Sequence, residues 1–208
     1  MDAAVVVGGI LLEATAWWVV AFRRGDVWRV TVPALTVLGI VALLTRPPWS
    51  PEVEPFVAAL VGLATGVLLY LATRVFVVVI RPWRTFRRHA ISMYERQGDR
   101  SLGSALLLSI ALSAPGEELF WRGLVQPGFA SALGGRAGLA AVLGWAAFVA
   151  ANLPSANLAI VAGAIVGGAV WSALGWWCGG ALAPLASHVV WTGLMLAFPV
   201  VRRQEVEA

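Results

Sequence analysis

Two adjacent carboxylates and an arginine stand inside an apolar stretch, in the order Ser113-Ala114-Pro115-Gly116-Glu117-Glu118-Leu119-Phe120-Trp121-Arg122-Gly123. On a helix Glu118 and Arg122 are four residues apart with the acid first, the favourable order for an ion pair. Glu117 is about 100° further round, so it need not share that pair. A carboxylate without a cationic partner is free to accept a proton from water, which is the task of a general base. Glu117 is therefore the candidate for chemistry and Glu118 the candidate for orientation.

Two later apolar segments carry polar groups that could meet these acids. Phe148 and Asn152 lie one helical turn apart, as do His188 and Thr192, so each pair projects from one face. His188 is the only histidine within an apolar segment, His89 falling in a basic stretch. Each residue alone has an ordinary structural use: an intramembrane histidine bonds a neighbouring helix, Asn152 caps a helix end, and Thr192 bonds its own backbone. In the company of two glutamates and an arginine they read as a site.

The elements that position these groups follow from composition. Of 208 residues 60% are hydrophobic and 12% charged, far from the balance of a soluble domain. Apolar runs of about 20 residues cross a bilayer as helices, which satisfy their own backbone groups there. The expected fold is all-α, a polytopic bundle of about seven transmembrane helices. The spans cover residues 3–22, 28–45, 55–80, 101–131 (interrupted at Pro115-Gly116), 136–152, 157–177 and 181–201. The whole chain, 1–208, is expected to form a single membrane domain: N-terminal spans over 1–80, a basic interfacial helix over 81–100, and a motif-bearing core over 101–208.

In that basic stretch Trp83, Phe86, Ala90 and Met93 recur at helical spacing. Arg84, Arg87, Arg88 and Arg96 occupy the remaining surface, and His89 goes with this interfacial helix. Anionic lipid headgroups are the expected partner of the region from Arg81 to Arg100. All fifteen basic residues are arginine, and most fall around Arg23, around Arg81 to Arg100, and at Arg202 and Arg203. Seven spans place these clusters on one side, which the positive-inside bias makes cytoplasmic, with the N-terminus outside. The basic balance therefore speaks for orientation and lipid contact, with no nucleic acid. The first span has no Lys or Arg before it and is expected to remain in the mature protein. Glu13 and Arg74 also lie inside spans; neither has polar neighbours along its own helix, and a structural role is expected for both.

Cys178 is the single cysteine, and no Cys/His spacing suggests a metal centre. No HExxH, GxSG or GxGD motif is present, which argues against zinc, rhomboid-like serine and aspartyl intramembrane proteases.

EELFWRG at 117–123 resembles the EExxxR(G) motif of the CPBP family, the CAAX prenyl endopeptidase and bacteriocin-processing intramembrane proteins. Phe148 to Asn152 is similar to the family's second motif, FxxxH, and His188 to Thr192 to its third, HxxxN or HxxxD. The resemblance runs from about residue 101 to the C-terminus. It implies a metal-independent, cofactor-free, glutamate-type endopeptidase acting on a peptide or membrane-anchored protein, in a membrane that the arginine-only composition suggests is bacterial. Glu117 and His188 would activate water, Glu118, Arg122 and Phe148 would support them, and Asn152 and Thr192 would stand where the family has its oxyanion donors. An amide can serve as such a donor, and losing one costs about 3 kcal/mol in other enzymes. The two departures, Asn152 and Thr192, also leave open a non-catalytic relative acting in peptide binding, immunity or maturation.

Overall fold

The computed structural model describes residues 3–45, 52–95, 98 and 100–201, and every regular element among them is helical. Arg46, Arg96, Arg202 and Arg203 lie outside the described residues. The helices are α1 (Ala3–Phe22), α2 (Val27–Leu44), α3 (Pro55–Val79), α4 (Arg84–Glu95), a composite α5 over 102–132, α6 (Ala137–Asn152), α7 (Leu158–Cys178) and α8 (Leu182–Ala197). Five of them, α1, α2, α3, α6 and α7, are long and apolar enough to cross a bilayer, and the chain is an integral membrane protein. The shorter apolar α8 and the segmented α5 complete the bundle. The last helix ends at Ala197, short of the expected 201, because Pro199 disfavours helical backbone at Phe198.

Helix ends are set by local chemistry. Asp26 caps α2, its carboxylate accepting the amides of Trp28 and Arg29 at 2.8 and 3.2 Å. Asn157 caps α7 in the same way, accepting from Ala159 and Ile160.

The expected break at Pro115-Gly116 does not occur. The helix runs on through both prolines of α5, Pro115 and Pro127, because a wider π turn precedes each one: Ser109–Ser113 and Trp121–Val125. A proline inside a helix lacks an amide and its ring crowds the carbonyl four residues earlier. Those carbonyls belong to Ala111 and Gly123, within the two π turns, where the i→i+5 pattern opens the backbone. The amide of Ala114 reaches the carbonyl of Ser109, and that of Gln126 reaches Trp121. The motif thus lies on one continuous helix, with Glu117 and Glu118 in the α-helical piece Ala114–Phe120 and Arg122 in the second π turn.

Gly116 brings α5 against α2. A Cβ there would overlap the Leu35 carbonyl oxygen, and one at Gly39 would come within 2.7 Å of the Gly116 Cα. Gly116→Ala is expected to lower stability by at least about 1–3 kcal/mol, since the obstacle is backbone and cannot rotate away. A melting curve in detergent micelles checks this; a melting temperature equal to the wild type's contradicts the tight crossing.

The basic helix α4 buries Phe86, Ala90 and Ile91, while Arg84 and Arg88 are exposed. Trp83 is exposed beside Phe86, with ring centroids 5.7 Å apart. His89 turns away from the surface: its Nδ1 accepts the amide of Leu158 at 2.9 Å, and its carbonyl accepts from the Asn157 side chain at 3.0 Å. The start of α7 has orphan amides, and this ring satisfies one of them. Tyr94 ties α4 to the end of α8 by donating to the Met195 carbonyl at 3.3 Å. Burial pushes the Tyr94 phenol up to about 12, so it stays a neutral donor at ordinary pH. Arg74, near the end of α3, is exposed.

Candidate active site

Glu118 is fully buried and shared between two helices. Its Oε1 accepts from Arg122 Nη1 at 3.2 Å and lies 2.8 Å from His188 Nδ1 on α8. Arg122 in turn donates through Nη2 to the Gly168 carbonyl at 3.0 Å and to the Ser172 hydroxyl at 3.3 Å, both on α7. Its guanidinium carbon sits 4.6 Å from the centroid of the Phe148 ring and 5.7 Å from that of Trp171. Gly175 gives this arginine its room, since a Cβ there would come within 3.1 Å of the Arg122 Cγ. A buried guanidinium with five such neighbours is fixed in place, and through Glu118 it fixes the imidazole as well.

His188 stacks on the Trp171 indole at 3.8 Å between centroids, 15° from parallel. Arg122 is the ionic partner of Glu118, and the hydrogen between Glu118 and His188 is therefore assigned to Nδ1, which leaves Nε2 with the free lone pair. The bond plays the part that an aspartate plays behind a catalytic histidine, setting tautomer and ring plane.

Glu117 Oε2 lies 3.7 Å from the same Nδ1, too far for a direct hydrogen bond. Glu117, Asn152, Phe148, Trp171 and His188 line one cavity of about 370 Å³, whose remaining wall is chiefly apolar and aromatic from α3, α4, α7 and α8. Three separated stretches of sequence therefore meet in one place. Thr192 does not line this cavity, where α8 presents His188, Trp191 and Met195. Trp191 is anchored away from the acids, its indole donating to the Thr73 hydroxyl at 3.1 Å.

Asn152 is engaged in a way its sequence position did not reveal. Its Nδ2 donates to the Phe148 carbonyl at 3.0 Å and to Glu13 Oε1 at 3.0 Å. Glu13, on α1 and 1% exposed, accepts a second bond from the Trp121 indole at 2.7 Å through Oε2, and the carboxyl of Glu117 is its hydrogen-bonding neighbour. Reading Glu13 along its own helix missed this, because all its polar partners come from α5 and α6. The available signal was the carboxylate itself, which has no cheap place in hydrocarbon unless it is put to use.

One oxygen or nitrogen each from Glu117, Glu118 and His188 lies within 4.8 Å of the others, a spacing that could hold a cation. The donor set argues otherwise: Arg122 already supplies the positive charge at Glu118, and a bound cation would face that guanidinium at close range.

No curated protein and no solved structure matches the chain. A family model, described as type II CAAX prenyl endopeptidase Rce1-like, matches residues 100–194, from the start of α5 into α8, and takes in Glu117, Glu118, Arg122, Asn152 and His188. By that match the motif-bearing part of this membrane chain is similar to the Rce1-like family of CAAX-type proteases.

Proposed function

We propose that the protein is an intramembrane endopeptidase that hydrolyses a peptide bond near a CAAX-type C-terminus, using Glu117 and His188 to activate water without a metal. The observation that carries this reading is the pairing of Glu117 and His188 across 3.7 Å in a common cavity, with the imidazole oriented by Glu118. A water held in the cavity by Glu117, with the free Nε2 of His188 as its second partner, would give its proton to the carboxylate as its oxygen bonds the scissile carbonyl carbon. The tetrahedral intermediate then expels the amine as the C–N bond breaks, and the proton passes to the departing nitrogen.

Asn152 also lines the cavity with Glu117 and His188, and the oxyanion contact is assigned to its amide. One hydrogen exchanges the Phe148 carbonyl for the substrate oxygen while the other keeps its bond to Glu13. Thr192 has no part in this reading. The apolar and aromatic wall suits a lipid-modified or strongly apolar peptide. The exposed arginines of α4 are assigned to anionic lipid headgroups.

The test is hydrolysis of a prenylated peptide ending in a CAAX sequence, by the full chain reconstituted in liposomes with and without a strong divalent-metal chelator. Cleavage at equal rates in both is expected. Cleavage that the chelator abolishes overturns the metal-free chemistry. Saturable binding of the peptide without cleavage replaces the enzyme by a non-catalytic peptide-binding relative, a reading favoured by the occupied amide of Asn152 and the position of Thr192.

A further inference from the structure

The family match begins at residue 100, yet α1 places a carboxyl group on the Trp121 indole and the Asn152 amide, with the Glu117 carboxyl as its neighbour. We infer that Glu13 is a positioning residue of the site: it forms a carboxyl pair with Glu117, braced by Trp121 and Asn152, and holds one proton in common with it. The inference rests on the reading of Glu117 as the base and extends it to a part of the chain outside the matched segment.

The geometry assigns the two acids different tasks. Glu117 is 8% exposed and lines the cavity, where water and substrate can reach it. Glu13 is 1% exposed, and both its oxygens already accept from neutral donors, the Trp121 indole and the Asn152 amide. A hydrogen bond between two carboxyl groups needs a proton between them, because two adjacent carboxylates in a low-dielectric setting repel strongly. The two neutral donors make Glu13 the side better able to carry the negative charge. The other ionisable groups around the pair are Glu118 and Arg122 on α5 and His188 on α8, and Glu118 is committed to both of the latter.

This arrangement gives the base a second proton position. As Glu117 accepts a proton from water, the proton it shared moves onto Glu13. The pair then holds two protons, and it returns to one when the departing amine takes its hydrogen. Charge and protons balance without any further reactant. The same contact couples base to oxyanion donor, since Glu13 also holds the Asn152 amide.

The experiment is infrared spectroscopy of the full chain in lipid nanodiscs across a pH titration, reading the carbonyl stretch of protonated carboxyl groups. A wild-type band that both Glu13→Gln and Glu117→Gln alter in intensity and titration midpoint is expected, because a shared proton belongs to neither acid alone. A Glu13 that serves only packing leaves the Glu117 band and midpoint where they are in the wild type, and that result overturns the inference. Should Glu13→Gln fail to fold, Trp121→Phe removes one donor to Glu13 with little change of shape; an unchanged midpoint in that variant also overturns it. No substrate is needed for these measurements. A protein that cleaves no peptide but shows the shared band keeps the carboxyl pair and loses the peptidase reading. Where cleavage is measurable, Glu13→Gln lowers kcat by at least about tenfold with KM little changed, and it displaces the pH profile; an unaltered kcat and profile count against the inference.

Discussion

Glu117→Gln yields a folded protein that has lost turnover. The substitution keeps the side-chain shape and a polar head that can still bond Glu13, and it touches neither the bond between Glu118 and Arg122 nor that between Glu118 and His188. What disappears is the group that accepts a proton from water, and general-base catalysis of this kind contributes about 10²–10⁴-fold. The expected result is therefore a kcat lower by two to four powers of ten, with peptide affinity and melting temperature close to those of the wild type. The neighbouring Glu118→Gln makes the informative contrast. It weakens the hold on both Arg122 and His188, so stability and rate fall together. Hydrolysis by folded Glu117→Gln at the wild-type rate removes the proposed base.

Adjacent residues separate in this way because of helical geometry, and that much was legible in the sequence. The i, i+4 spacing of Glu118 and Arg122 fixes their pairing wherever the helix lies. Long apolar runs locate the membrane helices, and the recurrence of Phe86 and Ala90 along a basic stretch locates the amphipathic helix α4. All of these signals are local, carried by neighbours on one turn or one face.

What the sequence concealed is non-local. Pro115 and Gly116 read as a break, yet a π turn ahead of the proline lets the helix continue, and the glycine is there for the close approach of α2. No spacing rule connects Glu118 to His188, 70 residues on, or Glu13 to Asn152, 139 residues on. Glu13 has no polar neighbour at helical spacing, because a buried carboxylate in a bundle finds its donors on other helices. The same applies to His89, whose ring caps α7 across a distance of 69 residues. The family resemblance supplied the convergence of Glu117 and His188, and it was silent on α1, which lies outside the matched segment.

The largest loss of stability is expected from Arg122→Ala. This guanidinium is the ionic partner of Glu118 in a place with no access to water, and it also satisfies the Gly168 carbonyl and the Ser172 hydroxyl. Removing one member of a buried ion pair costs about 3–5 kcal/mol, because the other charge is left without compensation. Against a typical total of about 5–15 kcal/mol that is a large share, and a fall in melting temperature of roughly 10 °C follows. Arg122→Lys recovers little of it: an ammonium cannot reach Glu118, Gly168 and Ser172 together, and it loses the flat face that lies over Phe148 and Trp171. Neutralising both partners in Arg122→Ala/Glu118→Gln restores part of the loss, since no unpaired charge remains. Thermal melts of the three variants in one detergent decide the matter. If Arg122→Ala melts with the wild type, or if the double variant is less stable than the single by the full cost of Glu118→Gln alone, the arginine is not acting as the partner of that carboxylate.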